Sequence, residues 1–196
     1  MDSRTRNETQ ISTGLPGLHR HVTGHDENGK ATVHASEPAL WSPLFDNAMA
    51  FNVAYTTSQF PPQMSGDTDI TAHQKVMSQG NLGLTNPNGT VCRFVDFGPG
   101  STAPEPLMHR TQSLDYGVVI EGEMEMILDS GETRIMGRGD LAVQRGTNHA
   151  WRNTSDTEWA RMMFVLQASE KVMVNGKELG EDLDKAGAES EGLRQK

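Results

Sequence analysis

From Val118 to Asn153 no apolar run is longer than a short strand, and glycine recurs in the gaps between runs. Val118-Val119-Ile120, Met124–Leu128, Thr133–Met136 and Leu141–Val143 are apolar or alternating, with Gly122, Gly131, Gly137, Gly139 and Gly146 between them. That spacing suits strands joined by tight turns rather than helices, so it predicts an all-β meander. Asp129-Ser130-Gly131-Glu132 reads as a hairpin turn, since glycine accepts the positive φ that tight turns demand.

The flanking segments extend the pattern. Met1–Thr13 is polar and aperiodic, and is expected to be flexible or to drape over a neighbouring subunit. Leu18–Thr23 and Ala31–His34 flank the turn Asp26-Glu27-Asn28-Gly29 and predict a hairpin of edge strands. Met49–Thr56 and Thr90–Phe97 read as strands, and Trp41–Asp46, with its Pro43, as an irregular crossing segment. In Phe60–Asn81, Pro61-Pro62 excludes a central strand and no helix is patterned, which predicts a long loop. Glu158–Gln167 contains WARMMFVLQ, a strand that lines a barrel, and Asn175-Gly176 joins a last small strand pair. The reading is one domain over residues 14–179, followed by a polar C-terminal tail at 180–196.

Charge and cysteine content exclude several classes of function. Lys and Arg number 17 against 26 Asp and Glu, a net charge of −9, so nucleic acid and anionic membrane are poor partners. Cys92 is the single cysteine, which rules out an intrachain disulfide and a thiolate cluster. No apolar run approaches membrane-spanning length and the N-terminus has no apolar leader core, so a cytoplasmic location is expected.

The central stretch resembles the two-part signature of the cupin superfamily. His109 falls on the first histidine of that signature and Gly122 on its closing glycine, while Gly146, His149 and Asn153 fit the second half. Thr111 stands where the second histidine belongs, Asp115 replaces the glutamate, Ala103 the leading glycine and Gln144 the proline. More narrowly, HRTQSLDYGVVIEGE with GDLAVQRGTNHAWRN resembles small single-domain cupins of polyketide and other secondary-metabolite pathways. The resemblance implies a double-stranded β-helix, or jelly-roll barrel, centred on residues 90–169 and preceded by N-terminal extension strands. It also implies a homodimer, for which the N-terminal hairpin is a candidate surface.

By the same resemblance, His109, Asp115 and His149 converge in the barrel. Two histidines and one carboxylate make a three-ligand set for one divalent metal, Fe, Mn, Ni or Zn. The same groups also make a metal-free acid–base site. Thr111, Tyr116, Arg145, Trp151 and Met163 are the candidate substrate contacts, and the eleven methionines suit an adaptable lining for a small hydrophobic or aromatic substrate. The expected activity is a lyase or isomerase: a dehydratase, decarboxylase or cyclase acting on a polyketide-like substrate through acid–base or Lewis-acid chemistry. A non-haem Fe(II) dioxygenase and a non-catalytic binding barrel are the alternatives.

Overall fold

The computed structural model describes residues 4–100 and 105–183, so most of the polar tail expected at 180–196 lies outside the described residues. The first strands, β1 (His19–His25) and β2 (Ala31–Pro38), form a hairpin that is a two-stranded sheet of its own. The turn is held by Asp26, whose Oδ1 accepts the amides of Asn28 and Lys30 at 2.9 Å each. Then follow β3 (Ser42–Leu44), β4 (Met49–Thr57), α1 (Thr68–Gln79), β5 (Thr90–Phe97) and β6 (Ser113–Glu121). β7 (Met124–Leu128), β8 (Thr133–Met136), β9 (Leu141–Arg145), β10 (His149–Asn153) and β11 (Ala160–Ala168) complete the barrel. β12 (Val172–Val174) and β13 (Lys177–Leu179) form the closing hairpin around Asn175-Gly176, both with positive φ.

Two antiparallel sheets face each other in the jelly-roll arrangement. One has six strands in the order β3-β4-β5-β11-β6-β9, the other three in the order β10-β7-β8. The period of two decides what each strand buries. β5 sends Val91, Val95 and Phe97 inward, and β11 sends Ala160, Met162, Phe164 and Leu166. Val119 and Ala142 join them from β6 and β9, with Met124 and Met136 opposite on the smaller sheet. Each large side chain so buried contributes about 1.5–3 kcal/mol. At Gly117 an added Cβ would lie 2.9 Å from the Phe164 ring, so glycine lets that ring lie against β6.

Two expectations are corrected. Residues 60–81 are not a bare loop, because α1 occupies Thr68–Gln79 and ends at Gly80 in the left-handed conformation. The helix escapes sequence reading because its seat is polar. His73 is its buried residue, stacking on Tyr55 with centroids 4.6 Å apart and receiving the Thr56 amide at 3.2 Å. The second correction concerns the polar N-terminal segment, part of which is packed onto the barrel. Gln10 and Ser12 are buried, and the Ser12 hydroxyl donates to Asp96.

Asp96 points to the outer face of the six-stranded sheet, opposite to Val95 and Phe97. There Arg161 grips it through Nε and Nη2 at 2.6 and 2.7 Å, with neither side chain exposed. Nη1 of Arg161 donates to the Pro16 carbonyl at 2.8 Å, and the guanidinium lies 4.8 Å above the Trp41 ring. A paired guanidinium thus pins the N-terminal strap to the sheet. Removing one partner leaves a buried charge alone, so Asp96→Ala is expected to lower stability by about 3–5 kcal/mol in chemical denaturation.

Candidate active site

His109 and His149 are joined through their backbones. Each amide donates to the other residue's carbonyl at 2.9 Å, the closely spaced pair of an antiparallel ladder. Residues facing each other in such a pair carry their side chains on one face, and the imidazole centroids stand 4.5 Å apart. Trp151, two residues on along β10, meets His149 edge-on at 5.8 Å and Phe164 at 5.6 Å. Nδ1 of His109 lies 3.0 Å from the Leu107 carbonyl, and Nδ1 of His149 lies 3.0 Å from the Thr147 carbonyl. A carbonyl can only accept, so Nδ1 carries the hydrogen and Nε2 keeps its lone pair in both neutral rings.

Asp115 enters from β6 on the inward face. Its Oδ2 accepts from the Thr111 hydroxyl at 3.4 Å, and Ser113 in turn donates to Thr111 at 2.8 Å. Oδ1 is buried with no hydrogen-bond partner among the described residues. Burial pushes the Asp115 carboxyl up to about 6, against the opposing pull of the Ser113 and Thr111 hydroxyls and of Arg93. Burial pulls His149 down to about 4, aided by His109, and lowers His109 as well. Both imidazoles are therefore neutral near pH 7, and a protonated histidine as the polarising group does not fit this site.

These groups line a cavity of about 130 Å³ whose remaining wall is largely apolar, with Phe51, Val95, Phe97, Phe164 and Leu166. That is roughly ten times the space one water requires, enough for a ring-sized guest.

His109, Asp115, His149 and Trp151 are thus brought together on the cavity wall. Thr111 is buried behind it and braces Asp115 instead of lining it. Three expected contacts point elsewhere. Tyr116 is exposed on the outer face because it neighbours the inward Asp115, and Arg145 is exposed at the end of β9. Met163 sits outward between the inward Met162 and Phe164. The alternation rule, applied from Asp115 along β6, excludes Tyr116. Asn153 supports the scaffold, its Nδ2 donating to the carbonyls of Phe97, Gly98 and Glu158 at 3.2, 3.0 and 2.7 Å. Sequence reading missed Arg93, a charged residue at an inward position of β5 that lines the cavity. The signal was present as a lone charge in an otherwise apolar register.

The two Nε2 atoms are suitable metal donors, with their partner nitrogens oriented by carbonyls. Among the described residues no three His, Cys, Asp or Glu side chains are grouped to hold a metal ion as they stand. Of the three-ligand set expected from the sequence, the imidazole pair is presented together, with Asp115 on the same cavity wall.

Comparison with known proteins agrees with the fold. The family described as Cupin domain matches residues 93–166. "Phomopsin biosynthesis cluster protein C'" of Diaporthe leptostromiformis is 42% identical over 176 residues, covering 89% of this chain and 91% of that one. "Oryzines biosynthesis cluster protein J" of Aspergillus oryzae is 43% identical over 171 residues, with 86% and 93% covered. "Cupin-domain-containing oxidoreductase virC" of Hypocrea virens is 41% identical over 166 residues, covering 82% of each. The chain belongs to the cupin family, and its barrel is a cupin jelly roll. No helix among the described residues is long and apolar enough to cross a membrane.

Asp115 gives a stability test. Its folded pKa of about 6 lies above the unfolded value near 3.8, so the stability it contributes in acid is lost as pH rises through 6. Asp115→Asn removes that loss. The variant is expected to melt higher than the parent at alkaline pH, by an amount equivalent to about 1–3 kcal/mol, with the advantage shrinking toward pH 4. Thermal melts across that range measure it.

Proposed function

We propose that this protein is an enzyme of secondary-metabolite biosynthesis, a lyase or isomerase that moves a proton on a small, partly hydrophobic substrate held in the barrel. The observation that carries the reading is the convergence of two neutral imidazoles and one carboxyl group on the wall of an apolar cavity. The biosynthetic setting is supported by the relatives, two of which are named for the phomopsin and oryzine clusters.

The division of labour follows from the pKa values. With Asp115 near 6, the carboxylate outnumbers the acid about tenfold at pH 7, and both forms are accessible. Its unpartnered Oδ1 is the atom free to take a proton from an acidic carbon or a hydroxyl. The lone pairs on Nε2 of His109 and His149 accept hydrogen from substrate hydroxyls and fix the reacting end beside Asp115. A proton returned to a neighbouring carbon completes an isomerisation or cyclisation. Delivered to a departing hydroxyl, it releases water.

The name of one relative, a cupin-domain-containing oxidoreductase, favours a second reading as an oxidoreductase. The two separate in one experiment. Deleting the gene identifies the intermediate that accumulates, which is then given to purified protein in deuterated water. Proton transfer places deuterium in the product without oxygen uptake, whereas a dioxygenase consumes oxygen in step with turnover and depends on Fe(II). Under the proton-transfer reading Asp115→Asn lowers kcat by about 10²–10⁴-fold, and parent activity falls as pH drops through about 6, where the carboxylate takes up its proton. Parental rates in both His109→Ala and His149→Ala would sink the proposal.

A further inference from the structure

Arg93 presents a buried charge that no carboxylate among the described residues pairs with directly. It stands on β5 at an inward position between Val91 and Val95, with 4% of its surface exposed. Burial pulls its pKa down to about 10, so it remains a cation at neutral pH. Nη2 donates to the carbonyls of Gly83 and Leu84 at 2.9 Å each, which fixes the guanidinium without neutralising it. The group lies 5.8 Å from the Phe51 ring centroid, and its Nε is buried with no hydrogen-bond partner. The carboxylate whose charge reaches it is Asp115. Asp115 turns one oxygen to Thr111 and leaves the other unmatched, so a buried donor and a buried acceptor share one cavity unpaired.

Arg161 shows how this chain neutralises an arginine when it needs one for structure. It is clasped through two nitrogens by Asp96, capped by Pro16 and stacked on Trp41. Among the described residues Arg93 has no such partner, although an unmatched buried polar group costs about 1–3 kcal/mol and a charged one more. Such a cost is tolerated where an incoming ligand completes the pairing.

We propose that Arg93 anchors an acidic group of the substrate: the cavity takes an apolar acid, its carboxylate against the Arg93 guanidinium and its body along Phe51, Phe97 and Phe164. The assignment rests on the reading of this cavity as the substrate site. Arg93 and Asp115 come from strands on either side of β11, since Arg93 pairs with Phe164 and Leu166 pairs with Asp115. Two strand spacings and a two-residue offset along β11 put their backbones about 12 Å apart. A carboxylate held at Arg93 therefore places atoms about one ring away within reach of Asp115 and the histidine pair. A guanidinium–carboxylate pair in this largely apolar cavity is charge-assisted and directional.

The test uses benzoate and benzamide, equal in shape and differing in charge, with occupancy of the cavity read from the ring NMR signals of His109 and His149. The full-length parent is expected to bind benzoate at least about tenfold more tightly than benzamide. Arg93→Gln is expected to lose that preference while still binding benzamide, and Arg93→Lys to keep part of it. Equal affinity for acid and amide in the parent overturns the Arg93 assignment alone and needs no variant to fold. If neither compound moves the ring signals, the cavity reading falls and the assignment falls with it. Retained preference in folded Arg93→Gln also overturns it.

Discussion

Two backbone hydrogen bonds between His109 and His149 hold the site together. The residues stand forty positions apart in the chain, and nothing local brings them near each other. Reciprocal pairing fixes both strands in register, and register fixes which face each side chain takes. A slip of one residue would put Met108 or Arg110 opposite His149 and turn the His109 ring out of the cavity. β10 is itself clamped on β7, with His149 opposite Leu128, and its far end is tied by Asn153 to the carbonyls of Phe97, Gly98 and Glu158. The imidazole pair is thus positioned by main-chain geometry, and the carbonyls of Leu107 and Thr147 then set the tautomers.

Given that scaffold, the chemistry follows from desolvation. Removing a carboxyl from water favours its neutral form, and the same removal disfavours an imidazolium. Asp115 rises and the histidines fall, so groups that differ by more than two units in water move into or past each other's range inside the barrel. Near pH 7 the Asp115 carboxylate exceeds the acid about tenfold and both forms stay within reach, which suits a group that takes up a proton and gives it back. This arrangement is unfavourable for folding, and the inter-sheet core of Val95, Phe97, Met162, Phe164 and their neighbours supplies the stability that offsets it.

The six-stranded sheet serves different purposes on its two faces. Its inner face carries the cavity and the core. Its outer face, near the start of β11, is sealed by the N-terminal strap, held by the Asp96–Arg161 pair with Ser12 and Trp41. Adjacent residues on β5 serve both sides: Val95 and Phe97 fill the core while Asp96 between them binds the strap. The polar N-terminal segment is therefore structural in its described part, although its composition reads as that of a solvated tail.

The β architecture was legible in the sequence because hydrophobic alternation and glycine turns are local signals. Thr90–Phe97, Met49–Thr56 and the hairpins around Asp129–Glu132 and Asn175-Gly176 appear where that pattern puts them. The cupin resemblance pointed to His109, Asp115 and His149, which line one cavity, and alternation from Asp115 would have removed Tyr116 from it. Helix α1 was not legible, because His73 seats it on a polar patch and no apolar stripe marks it. Nor was the pairing of Asp96 with Arg161, or the choice of Arg93 as the cavity's unanswered cation. By itself the sequence determined strand periodicity, turn positions and the identity of the titratable groups. Tertiary structure decided which of those groups lose water and which find a partner, because burial and charge pairing depend on residues far apart along the chain.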